Sequence, residues 1–317
     1  MLAPDELGAF ILVLANSMQD ERLCDSLRPR IQETFEALRE AHDGGRLNAA
    51  ADDLAVFEAL LDIGIDAFGA WTQRAVGPWR TALNPLRALR PERASSERFE
   101  SLHRPFDEGR FHFDKPFLKP EILSEERFED RALRVMYHKF PFSLYHLLIL
   151  LEPVAHHAQL LAPWSQRMAW NLAQRLSDSL PGVGLAYNSL GAGASVNHLH
   201  VHGFVDPDPL PIESALWTHN GGERAYPLRC QVARSNEDAW QMIEALHVAN
   251  RPYNLLYRPG RCYVIERPAQ GLVALPAWLP STGWFELCGG FNLVQRSQFE
   301  SLAAGDIESA LGALALP

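Results

Sequence analysis

The strongest constraint on the fold is the segment NHLHVHGF, residues 197–204, in which histidine occupies every second position. Side chains of a β-strand alternate between two faces, so residues two apart lie on the same face. The segment therefore predicts a strand that presents His198, His200 and His202 together on one face. Leu199 and Val201 lie between them and are expected to be buried on the other face.

Apolar patterns around this segment predict further strands. Apolar side chains alternate in residues 131–137, and LYHLLILLEP (residues 144–153) is almost continuously apolar, which is typical of a central strand. GRFHFDKPF (residues 109–117) alternates enough to suggest a short strand. PYNLLYRPGRCYVIERP (residues 252–268) predicts a hairpin around its Arg-Pro-Gly-Arg turn.

Helical patterns stand between these strands without a regular β-α-β alternation. RPRIQETFEALREAH (residues 28–42) places Ile31, Phe35 and Leu38 on one stripe, the period of an amphipathic helix. PWSQRMAWNLAQRL and EDAWQMIEALHVANR predict helices in the later part of the chain. The pattern as a whole predicts an α+β fold with a mostly antiparallel sheet flanked by helices. We expect a helical N-terminal region over residues 1–98, a first lobe over 99–210 and a second lobe over 211–317.

Just upstream of the histidines, YNSLGAGASVNH contains the elements of an anion site, namely Asn188, Gly191, Gly193 and Ser195. Glycines let main-chain N–H groups approach an anion closely, and serine and asparagine add further donors. Three alternating histidines could bind a metal ion or form a covalent phosphoramidate. They could also be polar residues of a sheet face whose ring nitrogens are all hydrogen-bonded. A phosphate cradle beside them favours phosphoryl or nucleotidyl transfer, because a metal site does not need one.

With these residues, NSLGAGASVNHLHVH resembles the signature of the histidine-triad superfamily. FPFSLYHLLILLEP resembles the strand that precedes it in that superfamily, with His146 and Pro153 in matching places. The likeness is strongest to the two-lobed branch, which contains GDP-hexose phosphorylases, diadenosine tetraphosphate phosphorylases and galactose-1-phosphate uridylyltransferases, and it extends over about residues 100–317. It implies a histidine-triad-like catalytic lobe and a second, degenerate lobe of the same type.

The resemblance implies roles for individual residues. His200 is the expected nucleophile, which attacks the α-phosphorus and carries the nucleoside monophosphate covalently, and His198 orients it. Ser195 and Asn188 are expected to contact the phosphate. The remaining substrate-binding candidates are Gly191, Gly193, His146 and Lys139.

The acceptor in the reaction stays open at this point. Transferases of the branch usually carry glutamine where this chain has His202, and a histidine can activate water or protonate a leaving group. The leading hypothesis is a nucleotidyltransferase of the phosphorylase type that acts on a nucleoside diphosphate sugar, with GDP-hexose favoured, or on a dinucleoside polyphosphate. The alternatives are a nucleotide hydrolase, a non-catalytic nucleotide-binding protein and a metalloenzyme. The covalent step needs no cofactor, and a requirement for a divalent metal is left open.

The net charge of −10 argues against a surface that attracts nucleic acid or anionic membranes. The four cysteines form no C-x-x-C pair, so the sequence predicts neither a zinc site nor a disulfide framework. The first residues lack the basic start of a signal peptide, and we expect a cytoplasmic protein. The expected partners are a nucleotide or nucleotide sugar and phosphate, with a homodimer as a further expectation from the resemblance.

Overall fold

The computed structural model describes residues 6–90 and 99–316. Within these residues the helices are α1 Glu6–Ser17, α2 Glu21–Asp43, α3 Ala51–Ile63, α4 Pro163–Leu176, α5 Asn236–Val248, α6 Trp284–Leu287, α7 Arg296–Ser301 and α8 Ala304–Ala313. The strands are β1 Thr72–Val76, β2 Trp79–Leu83, β3 Ile122–Phe128, β4 Arg131–Tyr137, β5 Leu147–Leu151, β6 Val183–Asn188, β7 His200–Val205, β8 Cys230–Ala233, β9 Tyr253–Arg258, β10 Arg261–Glu266 and β11 Gly290–Leu293.

Eight strands form one sheet in the order β3-β4-β5-β7-β6-β9-β10-β8. Every neighbouring pair in this sheet is antiparallel. β6 of the first predicted lobe pairs with β9 of the second, with Leu185 opposite Tyr257, so the sheet continues from one lobe into the other. The predicted α+β class with a mostly antiparallel sheet is confirmed.

The two faces of the large sheet contact different cores. Leu199 and Val201 lie in an apolar cluster with Met168 of α4 and Ile243 of α5. The opposite face carries Phe204, which packs in a second cluster with residues of the C-terminal elements. The histidines of β7 lie on this second face, between that cluster and a small apolar group around Phe113.

A second, three-stranded sheet has the order β1-β2-β11, with β2 and β11 parallel. The predicted helical region over residues 1–98 is therefore only partly helical. Its helices end with α3, and residues 72–83 form a β-hairpin. Gly64 follows α3 with φ of +84°, a conformation in which glycine is strongly favoured and the helix cannot continue. The predicted boundary between residues 98 and 99 falls at the end of residues 91–98, which lie outside the described residues.

The N-terminal helices pack against the turn between β4 and β5. Phe10, Phe35 and Phe57 of α1, α2 and α3 form an apolar cluster that also takes in Phe140 of this turn. The side-chain amide of Asn16 donates a hydrogen bond of 3.1 Å to the main-chain oxygen of His138. The helices are therefore packed against the chain segment that leads into β5.

The short strand predicted for residues 109–117 is wrong, because this segment has no strand pairing. The main-chain N–H of Phe113 donates instead to the side chain of His198, and Pro116 begins a 3₁₀ turn. None of the helices in residues 6–90 and 99–316 combines the length and apolar character that a membrane-spanning helix requires.

Candidate active site

β6 and β7 separate at the point where the histidines begin. Their paired register ends at Ala186 opposite His202, although Asn188 and His200 would be the next pair to exchange main-chain hydrogen bonds. The buried side-chain amide of Gln159 fills the gap: it accepts a hydrogen bond from His200 N (2.9 Å) and donates to the main-chain oxygens of His200 and Asn188 (3.0 Å each). The sequence carried no signal for this role of Gln159.

The side chain of His200 is held in one tautomer. Its Nδ1 lies 2.7 Å from the main-chain oxygen of His198, which can only accept, so Nδ1 carries the proton. Burial lowers the pKa of His200 to about 4, while the hydrogen bond to His198 partly opposes this. The imidazole is therefore neutral at physiological pH, with its lone pair on Nε2. None of the described residues hydrogen-bonds to Nε2.

Both ring nitrogens of His198 have partners. Nε2 donates to the oxygen of Pro153 at 3.0 Å, and Nδ1 accepts from the N–H of Phe113 at 3.2 Å. Burial, followed by the nearby His200, lowers the pKa of His198 to about 4. The side chain of His198 thus anchors two neighbouring segments, while its main-chain oxygen orients His200.

His202 is paired with a histidine from the start of β5. Its Nδ1 lies 2.9 Å from Nε2 of His146, and Nδ1 of His146 accepts from the N–H of Phe142 at 3.4 Å. Burial lowers the pKa of both histidines well below the usual value, so each carries a single proton. The side chain of His146, a predicted substrate contact, is fully buried and contacts His202.

This pair has two possible proton arrangements, because Nε2 of His202 also lies 3.4 Å from Nδ2 of Asn188. If His146 donates from Nε2, then Nε2 of His202 carries a proton and faces the asparagine amide, where a substrate oxygen can accept from both. In the reverse arrangement, Nε2 of His202 accepts from Asn188, and two donors face each other at Nδ1 of His146 and the N–H of Phe142, so each arrangement leaves one buried pair of donors in contact, at a cost of about 1–3 kcal/mol. A substrate oxygen between His202 and Asn188 removes this cost only in the first arrangement, and we therefore expect the proton on Nε2 of His202 when substrate is bound.

His138, His146 and His202 bring ring nitrogens within 4.8 Å of one another, a spacing that raises the question of a metal site. The rings of His138 and His146 are stacked, however, with centroids 4.2 Å apart and planes at 12°. The lone pair of an imidazole lies in the plane of its ring, so two stacked rings cannot both direct a lone pair at one ion. The arrangement does not suit a single metal bound by all three.

Asn188 is fixed by the second lobe. Its Oδ1 accepts from Nδ2 of Asn254 (2.6 Å) and from the main-chain N–H of Trp284 (2.8 Å). These two donors identify Oδ1 and turn Nδ2 toward His202. No role for Asn254 followed from the sequence, and the structure shows that it positions Asn188.

The predicted phosphate cradle is a turn that follows β6. Gly191 and Gly193 have φ values of +73° and +99°, and a side chain at Gly191 would collide with the ring of Phe99. The glycines therefore serve the turn and its packing. Ser195 is exposed, and no described residue accepts a hydrogen bond from the N–H groups of Gly193, Ser195 or Val196. These donors can bind an anion.

Segment 105–118 covers the histidines. The ring of Phe113 lies 4.9 Å from that of His200, which is 4% exposed. Arg134 of β4 holds this segment through an ion pair of 2.6 Å with Asp114, and Asp114 also contacts His156 at 3.2 Å. Phe113 and its neighbours thus shield the histidines from water, which strengthens electrostatic interactions there.

A cavity of about 1340 Å³ lies beside the cradle. Ser195 and Gly191 line one part of it, α1 and the start of α3 line another, and segment 99–121 contributes further side chains. Lys139, predicted as a substrate contact, also lines this cavity. Its Nζ is paired with Asp53 of α3 at 2.6 Å.

Comparison with known proteins gives matches to this part of the chain. Residues 80–204, from β2 through the histidines of β7, match the family model of the GDPGP1-like N-terminal domain. The predicted resemblance to the two-lobed histidine-triad branch is confirmed. GDP-D-glucose phosphorylase 1 of Danio rerio is 32% identical over 133 residues, which are 42% of this chain and 38% of that protein. The protein of the same name in Macaca fascicularis is 30% identical over 192 residues, or 50% of this chain and 48% of that one.

Solved structures support the fold across both lobes. The crystal structure of yeast Ap4A phosphorylase Apa2 in complex with AMP aligns with a TM-score of 0.54, covering 84% of this chain and 96% of that one. Its sequence identity is 14%, so the likeness concerns the fold. The aligned portions span about half or less of the length of the curated relatives.

Proposed function

We propose that the protein is a nucleotidyltransferase of the phosphorylase type that cleaves a nucleoside diphosphate sugar, with a GDP-hexose as the favoured substrate. The single observation that carries the proposal is the geometry of His200, a neutral imidazole whose proton is held on Nδ1 by a main-chain oxygen. Such an imidazole has a nucleophilic lone pair on Nε2 at neutral pH. The matches to GDP-D-glucose phosphorylases support the substrate.

In the first step, Nε2 of His200 attacks the α-phosphorus of the nucleotide sugar. An N–P bond forms, the bridging P–O bond breaks, and the sugar 1-phosphate leaves. The N–H of His202 Nε2 and the amide of Asn188 donate to the oxygens that gain charge, and the free amides near Ser195 hold the phosphate. His200 then carries the nucleoside monophosphate.

In the second step, we propose inorganic phosphate as the acceptor. A phosphate oxygen attacks the same phosphorus, the N–P bond breaks, and the nucleoside diphosphate is released with His200 regenerated. The neutral state of His200 makes it a good leaving group once Nδ1 is held by the oxygen of His198. The homodimer and the cytoplasmic location expected from the sequence stay predictions.

The test is to incubate the protein with GDP-, ADP- and UDP-glucose and with diadenosine tetraphosphate, each with and without phosphate, and to separate the products. A phosphorylase releases nucleoside diphosphate from the nucleotide sugar only when phosphate is present. Omission of phosphate should also allow the nucleotidyl adduct on His200 to be detected by mass spectrometry. Absence of both the adduct and phosphate-dependent products would refute the proposal.

A hydrolase of the same type is the second candidate, and a histidine at position 202 favours it. With its proton on Nδ1 and shared with His146, neutral His202 has a lone pair on Nε2, which could accept a proton from water as the water attacks the phosphorus. A hydrolase releases nucleoside monophosphate at the same rate with or without phosphate. The product analysis above therefore separates the two candidates.

A further inference from the structure

Arg87 is a half-buried arginine beside the histidines of the candidate active site. It follows β2 in a 3₁₀ turn, and its Nη1 donates a hydrogen bond of 2.9 Å to the main-chain oxygen of Phe140. Its guanidinium carbon lies 4.9 Å from the ring centre of Phe142. These two contacts fix the guanidinium and use one of its five N–H donors, so the remaining donors are available to a ligand.

The charge of Arg87 has no ion-pair partner among the described residues. Burial, followed by the charge of Arg90, lowers the pKa of Arg87 to about 10, so its guanidinium is still positive at neutral pH. Glu286 opposes this lowering from farther away, and its Oε2 accepts from the N–H of Gly283 at 2.8 Å. A largely buried charge without an ion-pair partner destabilises a protein, and an anionic ligand removes this cost.

His138 is a second polar group without a side-chain partner in this region. Its ring stacks on that of His146 with centroids 4.2 Å apart, and it lies 5.4 Å from the ring of Phe142, which Arg87 also contacts. Its Nδ1 is buried without a hydrogen-bond partner, and none of the described residues hydrogen-bonds to its Nε2. Burial, followed by His202 and the two arginines, lowers the pKa of His138 well below its usual value. The imidazole is therefore neutral at physiological pH and has one N–H to donate.

These two groups lie beside the proposed donor to the leaving group. A ring nitrogen of His138 lies within 4.8 Å of a ring nitrogen of His202. In a double displacement at phosphorus, the leaving group departs and the acceptor attacks on the side opposite the nucleophile, here His200. The β-phosphate of the nucleotide sugar and the inorganic phosphate that replaces it therefore occupy the same place in turn, next to His202.

We infer that Arg87 and His138 form the binding site of this second phosphate, an inference that rests on the proposed function for the order of the two steps. The guanidinium binds phosphate oxygens through the donors that Phe140 does not use, and the N–H of His138 donates to another oxygen. The cradle near Ser195 then holds the α-phosphate alone. Because one site serves both steps, a change at Arg87 affects the nucleotide sugar and inorganic phosphate alike.

Binding is tested without turnover by thermal unfolding of the whole protein with inorganic phosphate or with glucose 1-phosphate, at an ionic strength matched with sodium chloride. A ligand that binds only the folded state raises Tm by mass action. We expect both ligands to raise the Tm of the wild type, and R87Q to bind them about 10- to 100-fold more weakly. H138F keeps a ring to stack on His146 but loses the donor, and we expect about 10-fold weaker binding. R87K keeps the charge, and its intermediate affinity tests the inference where R87Q does not fold.

Arg74 of β1 supplies a matched control. It is also half-buried, and its guanidinium carbon lies 5.4 Å from the ring centre of Phe299. It donates hydrogen bonds of 2.9 and 2.8 Å to the main-chain oxygens of Phe299 and Leu302. The contacts resemble those of Arg87, but they lie between the three-stranded sheet and the C-terminal helices. R74Q should therefore bind both phosphates like the wild type.

Turnover separates this inference from the proposed function. In R87Q we expect the KM for phosphate to rise about 10- to 100-fold, and the nucleotidyl adduct to form more slowly when phosphate is absent. An absence of phosphate binding by the wild type, or equal phosphate affinity or KM in the wild type and folded R87Q, would overturn the inference. Phosphate binding that depends on Arg87, in a protein that transfers no nucleotide, would leave the site standing and refute the proposed function instead.

Discussion

Replacement of Gln159 by leucine should destabilise the protein strongly and displace His200, the proposed nucleophile. The two side chains have similar volumes, so the change removes hydrogen bonds with little effect on packing. It leaves three main-chain groups without a partner, namely the N–H and C=O of His200 and the C=O of Asn188, all of which face the gap between β6 and β7. Each buried unsatisfied group costs about 1–3 kcal/mol. Because β6 and β7 can move closer together, we expect a total loss of about 3–5 kcal/mol.

The chain supplies a matched control in Gln166, which is also fully buried. Its Oε1 accepts from Tyr257, but its Nε2 has no hydrogen-bond partner among the described residues. Q166L therefore loses one bond and removes one unsatisfied donor, and we expect a change within about 1 kcal/mol. Urea unfolding of both variants gives the two free energies directly. A loss below 1 kcal/mol in Q159L, or equal losses in both variants, would show that Gln159 does not hold the strands at this point.

Three further predictions concern the histidines. H200A should fold normally, form no nucleotidyl adduct in mass spectrometry, and lose turnover by about 10⁴-fold or more. H146F should lower kcat by about 100-fold with little effect on KM, because Nδ1 of His202 loses the partner that lets Nε2 hold its proton when substrate is bound; an unchanged kcat and pH profile would contradict this role. Burial lowers the pKa of His198, His200 and His247 from 6.5 to about 4, so below pH 6.5 the unfolded chain binds protons that the folded chain does not. The free energy of unfolding should be highest above pH 6.5 and should fall toward pH 4 by about 1.4 kcal/mol per pH unit for each group. A free energy of unfolding in urea that does not change between pH 6.5 and pH 4 would contradict this prediction.

The histidine strand could be predicted because its signal is local. Alternation with a period of two fixes the strand and the buried face of Leu199 and Val201, whatever the rest of the chain does. The helices around residues 163–176 and 236–248 and the hairpin at 253–266 followed from similar local patterns. The alternation in GRFHFDKPF was misleading, since its main-chain donor at Phe113 binds a histidine ring and not a strand.

Contacts between distant segments could not be predicted in this way. Gln159 acts at a gap between two strands, and a single glutamine in a loop has no pattern that marks it. The sequence placed Lys139 near phosphate because of its charge, whereas the structure pairs it with Asp53, 86 residues earlier. His146 lies one residue before β5 and not within the strand, and its contact with His202 depends on how β5 and β7 pair.

The glycine turn precedes the histidine segment in the chain, and the main-chain geometry around His198 gives a physical reason for this order. Leu151 N–H donates to the oxygen of Leu199, so the main-chain groups of His198 and His200 point away from β5, toward β6. β6 ends at Asn188, and the turn through Gly191 leads the chain away, so none of the described strands binds the oxygen of His198. That oxygen is free to accept from Nδ1 of His200, which leaves the lone pair on Nε2. The glycine turn of the predicted phosphate cradle therefore also prepares the proposed nucleophile, because a longer β6 would take the acceptor that fixes the tautomer of His200.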